Sequence, residues 1–441
     1  MTSSLFNFDP LTLAATALII FISSVVALYA KKYLRTDKRR KNLLLMISLI
    51  TTSLIITFSA DNIFLICASW MTSNFLLVLM MIHKNSWRQA VQSGRVALKN
   101  FAIGSLCLAF ALIILCFETK SCSIKEILNS EDLSKNSLIF STILIAIAAL
   151  TQSAIYPFHS WLISSLNSPT PVSAIMHAGL VNGGGILLTR FAPLFLKTPD
   201  IMTIIFALGI FSAIIGTLWK LIQSNVKSML ACSTMSQMGF MIAQCGMGLF
   251  PAAIAHLFWH GMFKSYLFLS SPSSWNEKRF DLEYPPKASS FLSSLICGFF
   301  GALIFAKINE IEIQKLETTI VLVAVAFIAA SQVALTIIGK LSAKSLVSAV
   351  VLSSFLSATY ASSVVLIEKI MPAEIFQPQQ LNIWHIAAII LLVSMWLARM
   401  FLKSRSQKMD QIFLRGYVKI LNASQPELKT ITSNRNQYNY R

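Results

Sequence analysis

The sequence predicts an all-α, polytopic membrane protein of about thirteen transmembrane helices, and three observations carry that reading. Hydrophobic residues make up 55% of the 441 positions and charged residues only 12%, against roughly 25% charge in a soluble globule. Thirteen apolar runs are long enough for a bilayer core of about 30 Å, which needs about 20 helical residues. The segments between them alternate between basic and acidic, as membrane loops do. Mean hydropathy, +0.68, agrees. The excess of 36 Lys+Arg over 18 Asp+Glu would suggest nucleic acid on a soluble protein. Here the basic residues flank apolar runs, so membrane lipid, and not nucleic acid, is the expected contact.

The runs lie near 10–30, 43–60, 62–82, 100–117, 137–156, 171–190, 201–222, 227–247, 251–270, 289–306, 318–338, 343–367 and 381–402. No basic segment precedes the first and a strongly basic loop follows it, so it reads as a retained span and not a cleaved signal. Loop 31–42 carries Lys31, Lys32, Arg35, Lys38, Arg39, Arg40 and Lys41 against Asp37, and 83–99 adds Lys84, Arg88, Arg95 and Lys99 with no acid. On the opposite side, loop 118–136 is weighted by Glu118, Glu126, Glu131 and Asp132, and a later loop by Glu310, Glu312 and Glu317. Lys220, Lys227, Lys340 and Lys344 rejoin the basic side. The positive-inside rule sets the N-terminus outside and the tail inside. The division expected is a transmembrane domain over 1–402 and a basic cytoplasmic tail over 403–441, with one amphipathic stretch from Gln411 to Leu421 that suits anionic lipid or a partner. Segments 83–99 and 271–287 are the other exposed candidates for a partner.

Ionisable groups inside a bilayer are costly, so their positions carry information. None of the 18 acids falls near the centre of a run; Asp61 comes nearest, at the tight junction between the second and third. The ninth run is different. His256, His260 and Lys264 recur at i, i+4 and i+8, which stacks them along one helical face. A lysine in mid-membrane is a candidate proton carrier, and histidines beside it can relay that proton. A stripe of structural interhelical hydrogen bonds fits the same spacing. His256 and His260 could share a metal, but no third ligand lies nearby in sequence, and Leu257 after His256 excludes the His-Glu-x-x-His protease pattern.

The stretch from Pro157 to Phe195 is the second informative region. Phe158, Trp161, Leu162 and Leu166 suit an interfacial amphipathic turn. Pro169 and Pro171 start the next span, and Gly183, Gly184 and Gly185 follow within it. Three glycines in a membrane helix either loosen it or admit another backbone. Broken helices at membrane depth line polar cavities or pack inside protein. His177 lies before the glycines and is expected to point into that region. The seven cysteines (67, 107, 116, 122, 232, 245 and 297) stand singly and build no Cys-x-x-Cys centre. With no phosphate-cradling loop, paired carboxylates or nucleophile–base set, the chain is not expected to be an enzyme by itself, nor to carry a cofactor or metal of its own.

The run Pro157 to Arg190, KSMLACSTMSQMG from Lys227 and HLFWHGMFKSYLFL from His256 resemble the antiporter-like, proton-pumping membrane subunits of respiratory complex I and of multi-subunit cation/proton antiporters. The resemblance covers most of 60–270. Within that superfamily, Pro157-Phe158-His159, HAGLVNGGG from His177, RFAPLF from Arg190 and Gln244-Cys245-Gly246 resemble the membrane subunit of the DAB inorganic-carbon accumulation complexes. The resemblance implies an antiporter-like fold with broken helices in the cell inner membrane. It implies a proton-conducting subunit of an energy-coupled CO₂/bicarbonate transporter, partnered by a large cytoplasmic zinc-binding protein that performs any CO₂ hydration. It assigns Lys264, His260, His256 and His177 to a polar line through the membrane, lined by Pro169, Pro171, Gly183, Gly184, Gly185 and Gln152. The alternatives are a proton-translocating subunit of a complex I-like NADH:quinone oxidoreductase or Na⁺/H⁺ antiporter, and a non-conducting membrane anchor.

Two departures bear on conduction. The antiporter-like relatives carry a glutamate after the tryptophan matching Trp70, where this chain has Met71. They carry a lysine at the position matching Gln152. Neither replacement titrates. Compared with those relatives, the chain is also expected to begin about two helices late and to lack their long lateral C-terminal helix.

Overall fold

The computed structural model describes residues 5–131, 133–276, 286–338, 342–401 and 411–431. Asp132, Lys340, most of segment 271–287 and tail positions 402–410 and 432–441 therefore lie outside the described residues. In chain order the helices are α1 (Pro10–Tyr33), α2 (Arg40–Ser59), α3 (Ile63–Met81), α4 (Arg88–Thr119), α5 (Ile124–Asn129), α6 (Lys135–Gln152), α7 (Ser160–Ile163), α8 (Thr170–Ala178) and α9 (Gly183–Arg190). Then come α10 (Ala192–Leu196), α11 (Pro199–Ile222), α12 (Val226–Gly246), α13 (Phe250–Ser270), α14 (Ala288–Ile308), α15 (Thr319–Ile337), α16 (Ala343–Ile370), α17 (Ile383–Phe401) and α18 (Gln411–Ala423). Among the described residues no strand forms; the extended chain makes only isolated bridges, such as Phe6 with Ala60 and Asn62 with Ser123.

A helix covers every one of the thirteen apolar runs. Ten spans among the described residues are long and apolar enough to cross a membrane, counting α8 and α9 as one broken span. The other three runs are the 21-residue α12 and α13 and the 19-residue α17. Hydroxyl, amide and ionisable side chains make α12 and α13 more polar than the rest. Large apolar side chains such as Phe64, Phe110 and Phe117 face outward, the surface that lipid and not water would wet. The chain is a multi-pass membrane protein.

Cα packing divides the chain into two units. The first holds residues through Gly246, His256–Trp275 and the chain from Tyr417; the second holds Met247–Ala255 and Asn276–Gly416. In the second unit α14 packs on α15 and α16, and Met247 O accepts from Thr318 Oγ1 at 2.8 Å and from Gln379 N at 3.2 Å. Ser342 opens α16 with a reciprocal cap to Ser345, which satisfies donors that a helix start otherwise leaves free.

The first unit is built around the broken span. All of its apolar window is buried, against 17–33% for the three spans α14 to α16. Glycines let its neighbours close in. A Cβ on Gly209 or Gly216 of α11 would meet α12 backbone nitrogen at 2.6 Å, and one on Gly246 would meet Phe206 N at 2.5 Å. These helices touch backbone to backbone, as small residues permit in membranes. Arg190 at the end of α9 donates to the carbonyls of Phe58 and Ala60. Beside them, Asp61 is buried and accepts from Ser123 Oγ at 2.5 Å and Lys125 N at 3.0 Å. The acid nearest a span is thus occupied in tying the α2–α3 junction to the loop before α5.

One expectation is corrected. Trp161 and Leu162 of α7 do not face a surrounding interface: both side chains are fully buried, while Phe158 and Leu166 are half-buried. The indole Nε1 donates to Thr151 O at 3.1 Å, and the ring packs on Phe101 at 4.6 Å. The end of α6 leaves carbonyls without helical partners, and Trp161 shares one of them, Thr151 O, with Asn100 Nδ2 at 3.0 Å.

Candidate functional site

The span from Thr170 to Arg190 is interrupted in its middle. Pro171 sits in the first turn of α8, where its missing N–H costs nothing, and Pro169 O accepts from Ser173 N at 3.0 Å. α8 ends at Ala178, a 3₁₀ turn covers Leu180–Asn182, and α9 resumes at Gly183. A break of this kind releases carbonyls from the i→i+4 ladder, and in a membrane each needs another donor.

Those donors come from two sides. On one, Gln152 Nε2 donates to Leu180 O at 3.3 Å and Ser153 Oγ to Val181 O at 2.8 Å. Both sit where α6 ends, just before the chain turns through Ala154 in the left-handed region and a cis Tyr156–Pro157 bond. The glycines of α9 allow this approach. A Cβ on Gly183 would stand 3.3 Å from Gln152 Cγ and 3.7 Å from the Trp70 ring; one on Gly184 would stand 2.3 Å from Ala149 O. Gly185 is closed off by Met241 of α12 at 2.6 Å. The two readings of the glycine run are therefore both realised: the helix is broken before it, and backbones approach along it.

On the other side stands α13. His260 Nε2 donates to His177 O at 3.3 Å; a carbonyl can only accept, so this nitrogen bears the proton and Nδ1 is left as an acceptor. The His177 ring lies flat on Phe268, 4.2 Å away and tilted by 16°. His177 thus lies along two turns of α13, from His260 to Phe268, with Lys264 between them. Lys264 is 1% exposed. Its Nζ donates to Ser233 Oγ at 2.8 Å and to Leu230 O at 3.4 Å, both on α12. His256, one turn earlier, stacks on His260 at 6.0 Å and meets Phe240 edge-on at 5.6 Å. Its Nε2, with His177 Nδ1 and Asn182 Oδ1, is buried and has no hydrogen-bond partner among the described residues.

The structure therefore brings His177, His260 and Lys264 to one face of the break, and Gln152 with the glycines to the other. Met71 lies apart, 52% exposed on the outward surface, while Trp70 beside it is buried. Among the described residues no group of three or more His, Cys, Asp or Glu side chains comes together. Sequence reasoning missed Ser233, Ser153 and Asn182. Ser233 was legible only as part of the KSMLACSTMSQMG string; nothing in its spacing points to a lysine 31 residues on. Asn182 Nδ2 bonds Ala178 O at 2.6 Å, an i−4 bond that a polar residue before three glycines could have suggested.

Comparison with known proteins identifies the relatives of this chain. Residues 60–284 match the family described as NADH:quinone oxidoreductase/Mrp antiporter, TM, and residues 3–42 match NADH-Ubiquinone oxidoreductase (complex I), chain 5 N-terminus. The chain is 33% identical over 282 residues, 62% of its length and 50% of the other's, to the probable inorganic carbon transporter subunit DabB1 of Halothiobacillus neapolitanus. To the probable inorganic carbon transporter subunit DabB of Bacillus anthracis it is 32% identical over 72% of this chain and 63% of that one. To NADH-quinone oxidoreductase subunit L of Escherichia coli it is 30% identical over 60% of this chain and 44% of that one. The matched region thus spans about half the length of these relatives. A solved Mrp complex from Dietzia sp. DQ12-45-1b shares the fold, with a TM-score of 0.60 and 20% identity over 94% of this chain and 52% of that one. The first of these matches takes in more than half of the residues, and the chain belongs to the NADH:quinone oxidoreductase/Mrp antiporter transmembrane family.

Proposed function

We propose that this chain is the proton-conducting membrane subunit of an energy-coupled inorganic-carbon transporter, acting with a large cytoplasmic zinc-binding protein that carries out CO₂ hydration. The observation that carries the proposal is Lys264, fully buried at a helix break, hydrogen-bonded to a hydroxyl and one turn from His260. A buried lysine with no carboxylate partner has little structural reason to exist, because desolvating its charge is expensive. A proton-exchange role supplies one. The names of the relatives from Halothiobacillus neapolitanus and Bacillus anthracis support the inorganic-carbon part of the reading.

The chemistry follows from the donors and acceptors. Charged Lys264 donates to Ser233 Oγ; once neutral, its amine accepts from the same hydroxyl, so Ser233 serves both states without rearranging. His260 holds its Nε2 proton on His177 O and presents Nδ1 to an incoming proton. His177 Nδ1, Asn182 Oδ1 and His256 Nε2, which lack protein partners among the described residues, are suited to a water chain linking these groups. At the other face Gln152 and Ser153 cannot titrate, so conduction runs through the Lys264 half alone. The basic loops 31–42 and 83–99 support an inner-membrane topology with the N-terminus outside and the tail cytoplasmic.

Growth rescue tests this reading. The chain and its large soluble partner would be produced together in a bacterium lacking carbonic anhydrase, at ambient CO₂. Rescue that needs both proteins and vanishes in Lys264→Ala is the expected result. Rescue that survives Lys264→Ala would make the chain a non-conducting anchor, the reading that Met71 and Gln152 favour. No rescue with both proteins in the membrane would shift the assignment to a redox-linked or Na⁺/H⁺ antiporter assembly.

A further inference from the structure

A cleft of about 920 Å³ opens in the first unit between the N-terminal half of α4, the α6–α7 turn and the chain after α18. Arg88, Arg95, Lys99 and Lys429 line it against one acid, Glu427. No described carboxylate forms an ion pair with Arg95, Lys99 or Lys429. Val96, Ile103 and Phe158 supply apolar wall. The tail side is fixed in position: Glu427 N donates to Ser164 Oγ at 3.0 Å, Asn167 Nδ2 to Thr430 O at 2.9 Å and Gln223 Nε2 to Ser424 Oγ at 2.8 Å.

The depth of the cleft says what it fits. α4 has 32 residues, roughly 48 Å at 1.5 Å per residue, while the hydrocarbon core is about 30 Å thick. Counted back from Thr119 at the far end, the core ends about 20 residues earlier, near Lys99. Lys99 therefore stands at the headgroup boundary, Arg95 about one turn outside it and Ile103 about one turn inside. A water-soluble anion would use only the charged half. An amphiphile with an anionic head would use both, which is the shape and polarity of a phospholipid.

We propose that this cleft binds an anionic phospholipid. Its phosphate sits among Arg95, Lys99 and Lys429, and its upper acyl chain runs from the boundary along Ile103 and Phe158. Glu427, the one acid of the lining, favours a headgroup that also carries a hydroxyl donor. Lipid binding here would cement the chain after α18 to α4 and set the edge of the unit at a fixed depth.

The test is native mass spectrometry of the full chain released from micelles doped with phosphatidylglycerol or phosphatidylcholine. The wild-type chain should retain phosphatidylglycerol preferentially. Arg95→Gln with Lys99→Gln should weaken that retention roughly thirtyfold, the combined effect of two basic groups at headgroup level. Lys41→Gln, equally basic and exposed but outside the cleft, should leave it unchanged. Equal retention in all three proteins would overturn the proposal. So would displacement of the lipid by inorganic phosphate alone, which would make the cleft a site for the free anion. A soluble partner whose binding depends on Arg95 and Lys99 while phosphatidylglycerol retention does not would overturn it too.

Discussion

The two walls around the broken span satisfy the same need with different chemistry. On the α6 side, Gln152 and Ser153 give neutral hydrogen bonds to the carbonyls of Leu180 and Val181, and glycine packing shuts out everything else. On the α13 side, His260 bonds the carbonyl of His177, and a buried lysine stands one turn away. Neutral donors suffice to hold a helix break together, so holding the break does not account for Lys264. The comparison separates what the fold requires from what it carries in addition, and it can be broken from either side.

The largest effect should come from Lys264. Lys264→Met should lower proton flux into proteoliposomes by roughly two orders of magnitude, the scale of a lost proton-transfer group. It should leave thermal stability in detergent equal or higher, because replacing a buried charge with an apolar side chain of similar volume is often neutral or stabilising. A large loss of stability with flux preserved would make Lys264 a structural strut and erase the distinction between the walls. The reciprocal variant, Gln152→Lys, adds a titratable group to the quiet wall. Flux rising above wild type would show that this side lacks only the ionisable group.

Next in size is the packing of the quiet wall. Gly184→Ala would drive a Cβ to 2.3 Å from Ala149 O, a backbone atom that cannot swing aside. Overpacking of this kind costs about 1–3 kcal/mol, read as a lowered unfolding midpoint. Gln152→Ala should cost a similar or smaller amount, about 1–3 kcal/mol, by leaving Leu180 O buried without its donor. Neither change should alter the pH dependence of flux through protein that remains folded. If Gln152→Ala changes that dependence, the quiet wall takes part in conduction.

The sequence made much of this legible, for reasons that differ by region. The spans were readable because apolar runs of bilayer length seldom arise outside a membrane, and the helices fall on every one of them. Their ends were not. α4 starts at Arg88, about a dozen residues before its apolar run, because the part of a helix at headgroup level is charged and escapes a hydropathy reading. The stripe His256, His260, Lys264 was readable from spacing, but its partners were not. Ser233, Leu230 O and His177 O come from other helices, and all three acceptors are backbone or hydroxyl oxygens, which no residue pattern marks. Trp161 misled for a related reason: an aromatic between prolines suits an interface until a carbonyl at a helix end claims its N–H.

The smallest effect lies far from both walls, in the loops at the basic end of the first spans. His83 Nε2 donates to Asp37 Oδ2 at 2.9 Å, Arg39 N donates to Asp37 Oδ1 at 2.7 Å, and Arg39 Nη1 donates to His83 O at 2.9 Å. The hydrogen bond from His83, and then the one from the Arg39 backbone, hold the Asp37 carboxyl below its usual range. A carboxylate whose pKa is lowered by folding stabilises the folded state above its unfolded value, near 4, and that contribution is lost as pH falls through the lower, folded value. Asp37→Asn should therefore reduce stability at neutral pH by about 0.2–1 kcal/mol, the range for a solvent-screened pair, and the difference from wild type should close below about pH 4. Unfolding midpoints of the two proteins compared across pH 3 to 7 measure it. A gap that persists unchanged at pH 3 would show that the loops are held by Arg39 and backbone contacts, with the carboxylate a bystander.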